Sequence, residues 1–362
     1  MIIDIVTYYL GGKGGAETTL TLLSNSLKKK GHTVRILIAY PPLFKKWLNA
    51  LDNVYYYGLG ATINNGSYLE FSINYKKILS LIGKPDICIA FYDCIQNYIC
   101  YYALEENNIL SVPLVSFLHD SIKNFYSKES LGFSSAHFAL NKEIELDIKN
   151  LLGNKRIYSI QNLINTDNIS NINLSEKNLE ILYIGRLESE KNIPYLLNSL
   201  SKLDNNFLLK IIGDGSLLAS LKQQALDLKI SEKISWTNWQ ENPWTKVSEA
   251  SILILPSNED KCPLVLLESL AHGIPVICTN SKIKNKFITH GKNGWFIDSN
   301  DENSLVNLLK NIINSKTSLP SKEYCKKTVE TLNLQKTIST IESALLRGIY
   351  MFKSNKNYNF FN

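Results

Sequence analysis

Through most of its 362 residues this chain alternates short apolar, β-branched runs with stretches of helical period. That alternation constrains the fold more than any other feature. Strands separated by helical crossovers must run parallel, and a parallel sheet needs helices over both faces. The strand-like runs fall at 2–7, 34–39, 86–91, 112–118, 136–140 and 157–160, with helical patterns at 16–30, 68–82, 95–107 and 142–152. A polar, Asn-rich, aperiodic segment, 161–175, then interrupts the series and reads as a domain boundary. The pattern restarts with strands at 179–184, 207–212, 233–236, 251–255, 275–278 and 294–297. Helices are expected at 193–203, 216–229, 243–250, 263–272 and 301–314, and a last helical stretch, 321–349, comes after the second sheet is complete. The expected fold class is α/β: two Rossmann-like, doubly wound parallel-sheet domains, 1–165 and 166–348. The final helical stretch returns to the first domain, and 350–362 forms a tail. At about 150 residues per domain, the length also predicts two.

In open sheets of this kind ligands bind at the carboxyl ends of the strands, so two facing sheets would hold an active site in the cleft between them. Charge and composition remove several classes of function. A formal charge of +6, divided evenly between the halves, argues against a basic nucleic-acid arm or an acidic tail, so no nucleic acid is expected as a partner. Six cysteines without a CxxC pair and five scattered histidines give neither a disulfide framework nor a zinc site. The opening MIIDIVT enters a strand without a charged leader, and no stretch has the roughly 18 apolar residues of a membrane span. The expectation is a cytoplasmic protein with reduced thiols. Of its basic residues 35 are Lys and only Arg35, Arg156, Arg186 and Arg347 are Arg, so each Arg is a candidate for a role that needs the planar guanidinium.

Four strand-to-helix turns could carry chemistry. The first is Gly11-Gly12-Lys13-Gly14-Gly15-Ala16-Glu17, whose glycines leave N–H groups uncovered at a helix start; it is neither a dinucleotide fingerprint nor a Walker A loop. The second, Gly185-Arg186-Leu187-Glu188-Ser189-Glu190-Lys191-Asn192, reads either as an anion clamp or as a solvated charged loop. In the third, Gly213-Asp214-Gly215, Asp214 is expected to cap the next helix, while the glycines allow a ligand to approach. The fourth is the most specific. Pro256-Ser257-Asn258-Glu259-Asp260-Lys261-Cys262-Pro263 leads into Leu264-Val265-Leu266-Leu267-Glu268, with Pro263 at its favoured helix-opening position. A carboxylate at Glu268 inside so apolar a helix needs a partner, and a ribose diol is one; a wet helix face is the other reading.

Together and in this order, these turns resemble the retaining glycosyltransferases of family 4, GT-B enzymes that build bacterial cell-surface polysaccharides and glycoconjugates. The likeness runs from Met1 to about residue 348 and is strongest over 181–278. It implies a UDP-sugar donor (galactose, glucose or N-acetylglucosamine), a glycan, lipid-linked or protein-linked acceptor, and no cofactor. By position, Arg186 and Lys191 match the residues that bind the donor diphosphate, and Glu268 the carboxylate that holds the ribose. Cys262, Pro263 and Leu264 match the backbone beside sugar and phosphates. Gly14, Gly15 and Gly213 match further donor-loop positions, and Trp239, in the Trp236–Trp239 segment, matches the loop flanking the nucleobase. His119, at the end of Val115-Ser116-Phe117-Leu118, matches the active-site histidine near the transferred sugar.

Two positions depart from the family pattern. Asp260 stands where the first of two paired glutamates is usual, with Glu259 beside it, and Asn238 stands where the nucleobase loop often has Gly. No D-x-D motif is present, so the expected transfer is metal-independent, with Arg186, Lys191 and helix N-termini neutralising the leaving diphosphate. The segment Pro41-Pro42-Leu43-Phe44-Lys45-Lys46-Trp47-Leu48 mixes aromatics with lysines and reads either as a peripheral membrane contact or as an ordinary packed surface helix. Two other functions fit the same architecture: a UDP-sugar 2-epimerase, and a non-catalytic partner subunit, which the Asp260 replacement keeps open.

Overall fold

The computed structural model describes residues 1–12, 14–58, 68–119, 122–153, 155–164, 169, 172–173, 178–203, 207–257, 264–280 and 284–354. The chain forms two compact units, one made of Met1–Leu163 with Leu334–Asn362 and the other of Ile164–Asn333.

In the first unit, β1 (Ile2–Thr7), β2 (Thr33–Ile38), β3 (Val54–Tyr56), β4 (Ile87–Tyr92), β7 (Leu114–Leu118), β8 (Ala136–Ala139) and β9 (Arg156–Ser159) make one parallel sheet in the order 3-2-1-4-7-8-9. The helices α1 (Gly15–Lys29), α2 (Tyr68–Ile82), α3 (Ile95–Leu104) and α4 (Lys142–Leu152) connect the strands. All but the first residue of β1 and of β2 is buried, as expected of strands covered on both faces. Asp4 and Arg35 are register partners on these strands and pair inside the core, Nε to Oδ1 at 2.5 Å. Tyr75 Oη donates to the other Asp4 oxygen at 2.6 Å, while Arg35 Nη1 donates to the carbonyls of Ile82 and Gly83, both at 2.9 Å. The guanidinium thus ties β2 to the end of α2.

The expected helix 95–107 stops at Leu104, and a two-stranded hairpin follows, β5 (Glu105–Glu106) with β6 (Ile109–Leu110). Its two turn residues, Asn107 and Asn108, have φ of 53° and 62°, the conformation a two-residue hairpin of this hand requires.

The second unit is built on β10 (Leu179–Ile184), β11 (Phe207–Ile212), β12 (Ile234–Thr237), β13 (Ile252–Leu255), β14 (Val276–Thr279) and β15 (Gly294–Ile297), in the order 12-11-10-13-14-15. Counted from β10 this is the 3-2-1-4-5-6 arrangement, whose switch point lies between its first and fourth strands, β10 and β13. Helices α5 (Ile193–Ser201), α6 (Leu218–Asp227), α7 (Leu264–Ala271), α8 (Glu302–Ile313) and α9 (Lys322–Val329) surround the sheet. Leu196, Leu197 and Leu200 of α5 share one buried cluster with Leu305 and Leu309 of α8, and Leu266, Leu267 and Leu270 of α7 lie in the other. The helix expected over 243–250 is a single 3-10 turn, Pro243–Lys246. Asn242 Oδ1 accepts from Trp244 N and fixes its start, while buried Trp244 draws the turn inward.

The expected helical stretch 321–349 is two helices. Cys325 and Val329 of α9 pack in the second unit's core, whereas α10 (Leu334–Ser354) belongs to the first unit and lies against α1 and β4. The C-terminal helix therefore returns to the first domain. Buried Ile338, Ile341 and Leu345 line its inner face, Lys30 Nζ and His32 Nε2 each lie 2.8 Å from Glu342 oxygens, and Arg156 Nη1 lies 2.9 Å from Met351 Sδ. Among the described residues no helix is long and apolar enough to cross a membrane.

Candidate functional site

Two loops leave the carboxyl edge of the second sheet on either side of its switch point. The loop after β10 carries Arg186, which is exposed and donates from Nη2 to Glu190 Oε1 at 2.8 Å, and Lys191, which is half-buried. Its shape is set from within: Tyr183 Oη donates to the carbonyl of Arg186 at 2.8 Å, and Asn192, with φ 51°, turns the chain into α5.

The Gly213-Asp214-Gly215 turn packs directly on that loop. A Cβ on Gly213 would lie 1.9 Å from the carbonyl oxygen of Gly185, and one on Gly215 would lie 2.4 Å from that of Leu187. Backbone bonds from Gly185 N to Ile212 O (3.1 Å) and Leu187 N to Asp214 O (2.9 Å) stitch the two turns together. What these glycines admit is the chain's own backbone. Asp214 is not the N-cap residue of α6, which is Leu217. Asp214 Oδ1 accepts from the adjacent Gly215 N, while Glu188 reaches across from the first loop to the residue before the N-cap, accepting from Ser216 N at 3.0 Å and Ser216 Oγ at 2.5 Å. Those two bonds hold the Glu188 carboxyl below the usual range.

Beyond β13, Ser257 and then Leu264, the buried first residue of α7, are described; Glu259, Asp260, Cys262 and Pro263 lie outside the described residues, as does Lys13. Glu268 is half-buried, and its carboxyl is engaged by a side chain rather than left to solvent alone. Trp244 Nε1 donates to its Oε2 at 2.9 Å, and burial pushes its carboxyl pKa up against the opposing pull of that indole bond. One turn later, just past the end of α7, His272 stacks on the Trp244 ring, with centres 4.4 Å apart and planes 27° apart. Neither Trp244 nor His272 stood out in the sequence. The signal was there in Asn242-Pro243-Trp244, a cap and a helix-opening proline immediately before a large aromatic. Trp239 follows β12 and is half-buried. Lys284 is fully buried, donating to Ser257 O at 3.0 Å and to Thr279 Oγ1 at 2.8 Å, and so anchors the end of the Pro256–Ser257 segment.

In the first unit the Gly-rich turn follows β1. Gly14, exposed and extended, caps α1, and Gly15 is its exposed first residue. Glu17 is buried and accepts from Gly12 N at 2.7 Å, which closes the turn from inside. Gly12 has φ 97°, and a Cβ there would meet the Phe44 carbonyl at 2.2 Å, so glycine is required on two counts. His119 directly follows β7, is 7% exposed, and lies among the rings of Phe91 (5.3 Å), Tyr92 (5.8 Å) and Phe117 (5.9 Å). In the 41–48 segment Leu43, Phe44, Lys45 and Lys46 are exposed, but Trp47 is 3% exposed and packs inside. The segment is no surface helix held by Phe44 and Trp47 together: a short 3-10 turn, Lys46–Ala50, buries Trp47 and leaves Phe44 outside.

Among the described residues, each unit gathers its candidates at the carboxyl edge of its own sheet, apart from Leu264 and Glu268 on α7. Comparison with known proteins adds an independent line. Residues 165–331 match the model of the family described as Glycosyl transferases group 1. A lipopolysaccharide 1,6-galactosyltransferase of Escherichia coli K12 is 29% identical over 54% of this chain and 56% of its own length, so the alignment spans about half of that relative. A Campylobacter jejuni α-1,4-N-acetyl-D-galactosaminyltransferase, named for an undecaprenol-diphosphate-linked glycan, is 27% identical over 83% of this chain and 86% of its own. Among solved structures, Anabaena HepE in complex with UDP and glucose superposes with a TM-score of 0.77 at 16% identity, over 96% of this chain and all of that one. The apo lipopolysaccharide outer core galactosyltransferase WaaB gives 0.73 at 20% identity, over 96% and 99%. The architecture is GT-B, and the second, third and fourth turns lie within the segment that matches the family model.

Proposed function

We propose that this chain, a GT-B protein whose second unit carries the glycosyl transferases group 1 sequence, is a hexosyltransferase of cell-surface glycan synthesis. The observation that carries the reading is Glu268: a desolvated carboxylate held by an indole N–H, on the helix that follows the switch-point strand of a 3-2-1-4-5-6 sheet. Such a group suits the two hydroxyls of a nucleotide ribose. Arg186 and Lys191, on the loop after the other strand of the switch point, are suited to the diphosphate. Their charges would stabilise the leaving group as the bond to the anomeric carbon breaks. His119 is assigned to the sugar being transferred, and Gly14 and Gly15, at the N-terminus of α1, to the anionic side of the donor.

The donor is proposed to be UDP-linked and the acceptor lipid-linked or another glycan, as the names of the C. jejuni relative and of the HepE complex suggest. Transfer is proposed to proceed with retention and without a metal. A panel of UDP- and GDP-sugars, read by thermal shift and slow hydrolysis, tests the reading. A UDP-hexose should raise the melting temperature and be cleaved, and hydrolysis should survive EDTA. If no sugar nucleotide stabilises the chain, the proposal fails; stabilisation without cleavage would point to the non-catalytic subunit, and acceptor-free conversion of the sugar to the epimerase. Peripheral membrane contact is proposed for Leu43, Phe44, Lys45 and Lys46 alone. Liposome co-sedimentation unchanged when these four are replaced would reject it.

A further inference from the structure

Trp244 touches α7 and the residue that follows it. Its Nε1–H bonds Glu268 Oε2 at 2.9 Å, and its ring lies on His272, four residues further along and just past the end of that helix. The indole itself is 6% exposed, and Asn242 Oδ1 holds its backbone N at 3.2 Å. A glutamate side chain has three rotatable bonds, and unless something fixes it a carboxylate at the edge of a helix samples several rotamers. Here one oxygen is tied by a directional donor whose ring is itself clamped by stacking, so the carboxylate plane and the position of Oε1 are both set. Pre-set geometry matters most for a ligand with two adjacent hydroxyls, because both must meet the same carboxylate.

We infer that Trp244 is the positioning residue for ribose recognition: by holding Oε2 it orients Glu268 so that the chain distinguishes a ribonucleotide from its 2′-deoxy counterpart. The inference rests on the reading of the second unit as a nucleotide-sugar site and deepens it, since it names the residue that sets sugar-ring specificity without touching the ligand. His272 supports the ring, and Glu268 makes the contact.

The experiment compares UDP with 2′-deoxy-UDP on the full chain by titration calorimetry. A hydrogen bond to a charged group predicts that the native chain prefers UDP by about tenfold. Trp244→Phe keeps an aromatic ring against His272 while removing the donor together with part of the ring's bulk. It should lower UDP affinity towards that for 2′-deoxy-UDP, leave 2′-deoxy-UDP affinity nearly unchanged, and bring the ratio to within about threefold of unity. Trp244→His, which restores a ring N–H, should recover part of the ratio. A loss of packing alone would weaken both nucleotides equally. Because Trp244 is buried, a measurement on the unaltered chain accompanies the variants: one indole N–H resonance should move with UDP and stay in place with 2′-deoxy-UDP. If Trp244→Phe is folded and keeps the native ratio, or no indole resonance separates the two nucleotides, the positioning role is overturned while the donor reading stands. If the native chain binds neither nucleotide, the donor reading falls and the inference with it.

Discussion

Arg186 stands exposed on the loop after β10, with Glu190 as its ion-pair partner. A surface pair of this kind contributes at most about 1 kcal/mol, so the arginine is not held there for stability. Arg186→Ala should leave the melting temperature almost unchanged and lower turnover on the UDP-sugar about a hundredfold, roughly 3 kcal/mol of transition-state stabilisation. A variant that melts early, or that turns over normally, removes Arg186 from the diphosphate clamp. Glu268 is the opposite case. Burial raises its pKa, so whatever stability it contributes is present at low pH and is lost as pH rises through the raised value. Glu268→Gln cannot ionise. It should melt higher than the native chain at pH 8, converge with it towards pH 4, and bind UDP about tenfold more weakly. Equal melting at every pH would show that the native carboxylate has no cost to remove. Scarcity marks each arginine as a candidate for a role that needs the guanidinium, and Arg35 uses its own to join strand to helix end in a core.

At the scale of elements, the two turns after β10 and β11 behave as one object, because each glycine of the second turn lies under a carbonyl of the first. Gly213→Ala would press a methyl group against Gly185 O at 1.9 Å; relief of such overpacking costs about 2 kcal/mol and displaces the Arg186 loop. Weakened donor binding together with a lower melting temperature is the expected result, and unchanged values for both would deny the coupling. This clasp shows what a sequence can and cannot reveal. The β10 and β11 strands, α5 and the loops between them were legible from apolar period and turn residues, since those are local. That Gly213 serves Gly185, or that Glu188 holds Ser216, 28 residues on, depends on which loops become neighbours, and nothing local encodes it. The three-residue β3 is too short to show a period, and the helix 95–107 was overextended because the Asn107-Asn108 turn signal lay inside a helical pattern. Glu268 was found because a charge in an apolar helix is a local anomaly; its partner Trp244, 24 residues earlier, was not.

At the scale of the molecule, the second unit is one continuous segment, Ile164–Asn333, whereas the first is made of two. The second has its own six-stranded sheet and its own buried clusters. Residues 164–333 expressed alone should therefore unfold cooperatively and retain binding to UDP; a molten fragment, lacking near-ultraviolet dichroism, would contradict this. The first unit depends on α10. Ile341 is fully buried, and Ile341→Ala should cost about 3 kcal/mol, read as a shift of the denaturation midpoint at constant slope.

That return of α10 has a consequence in time. A ribosome emits about 5–20 residues per second, so the seven strands of the first sheet emerge long before the helix that lies against β4. During that interval Ile87 and the apolar residues around it wait uncovered while 170 residues of another unit are synthesised and begin to fold. The nascent first unit is thus the stretch most exposed to holdase chaperones and to misassociation. Ribosome-stalled chains ending at 333 should recruit more chaperone than those carried past 354.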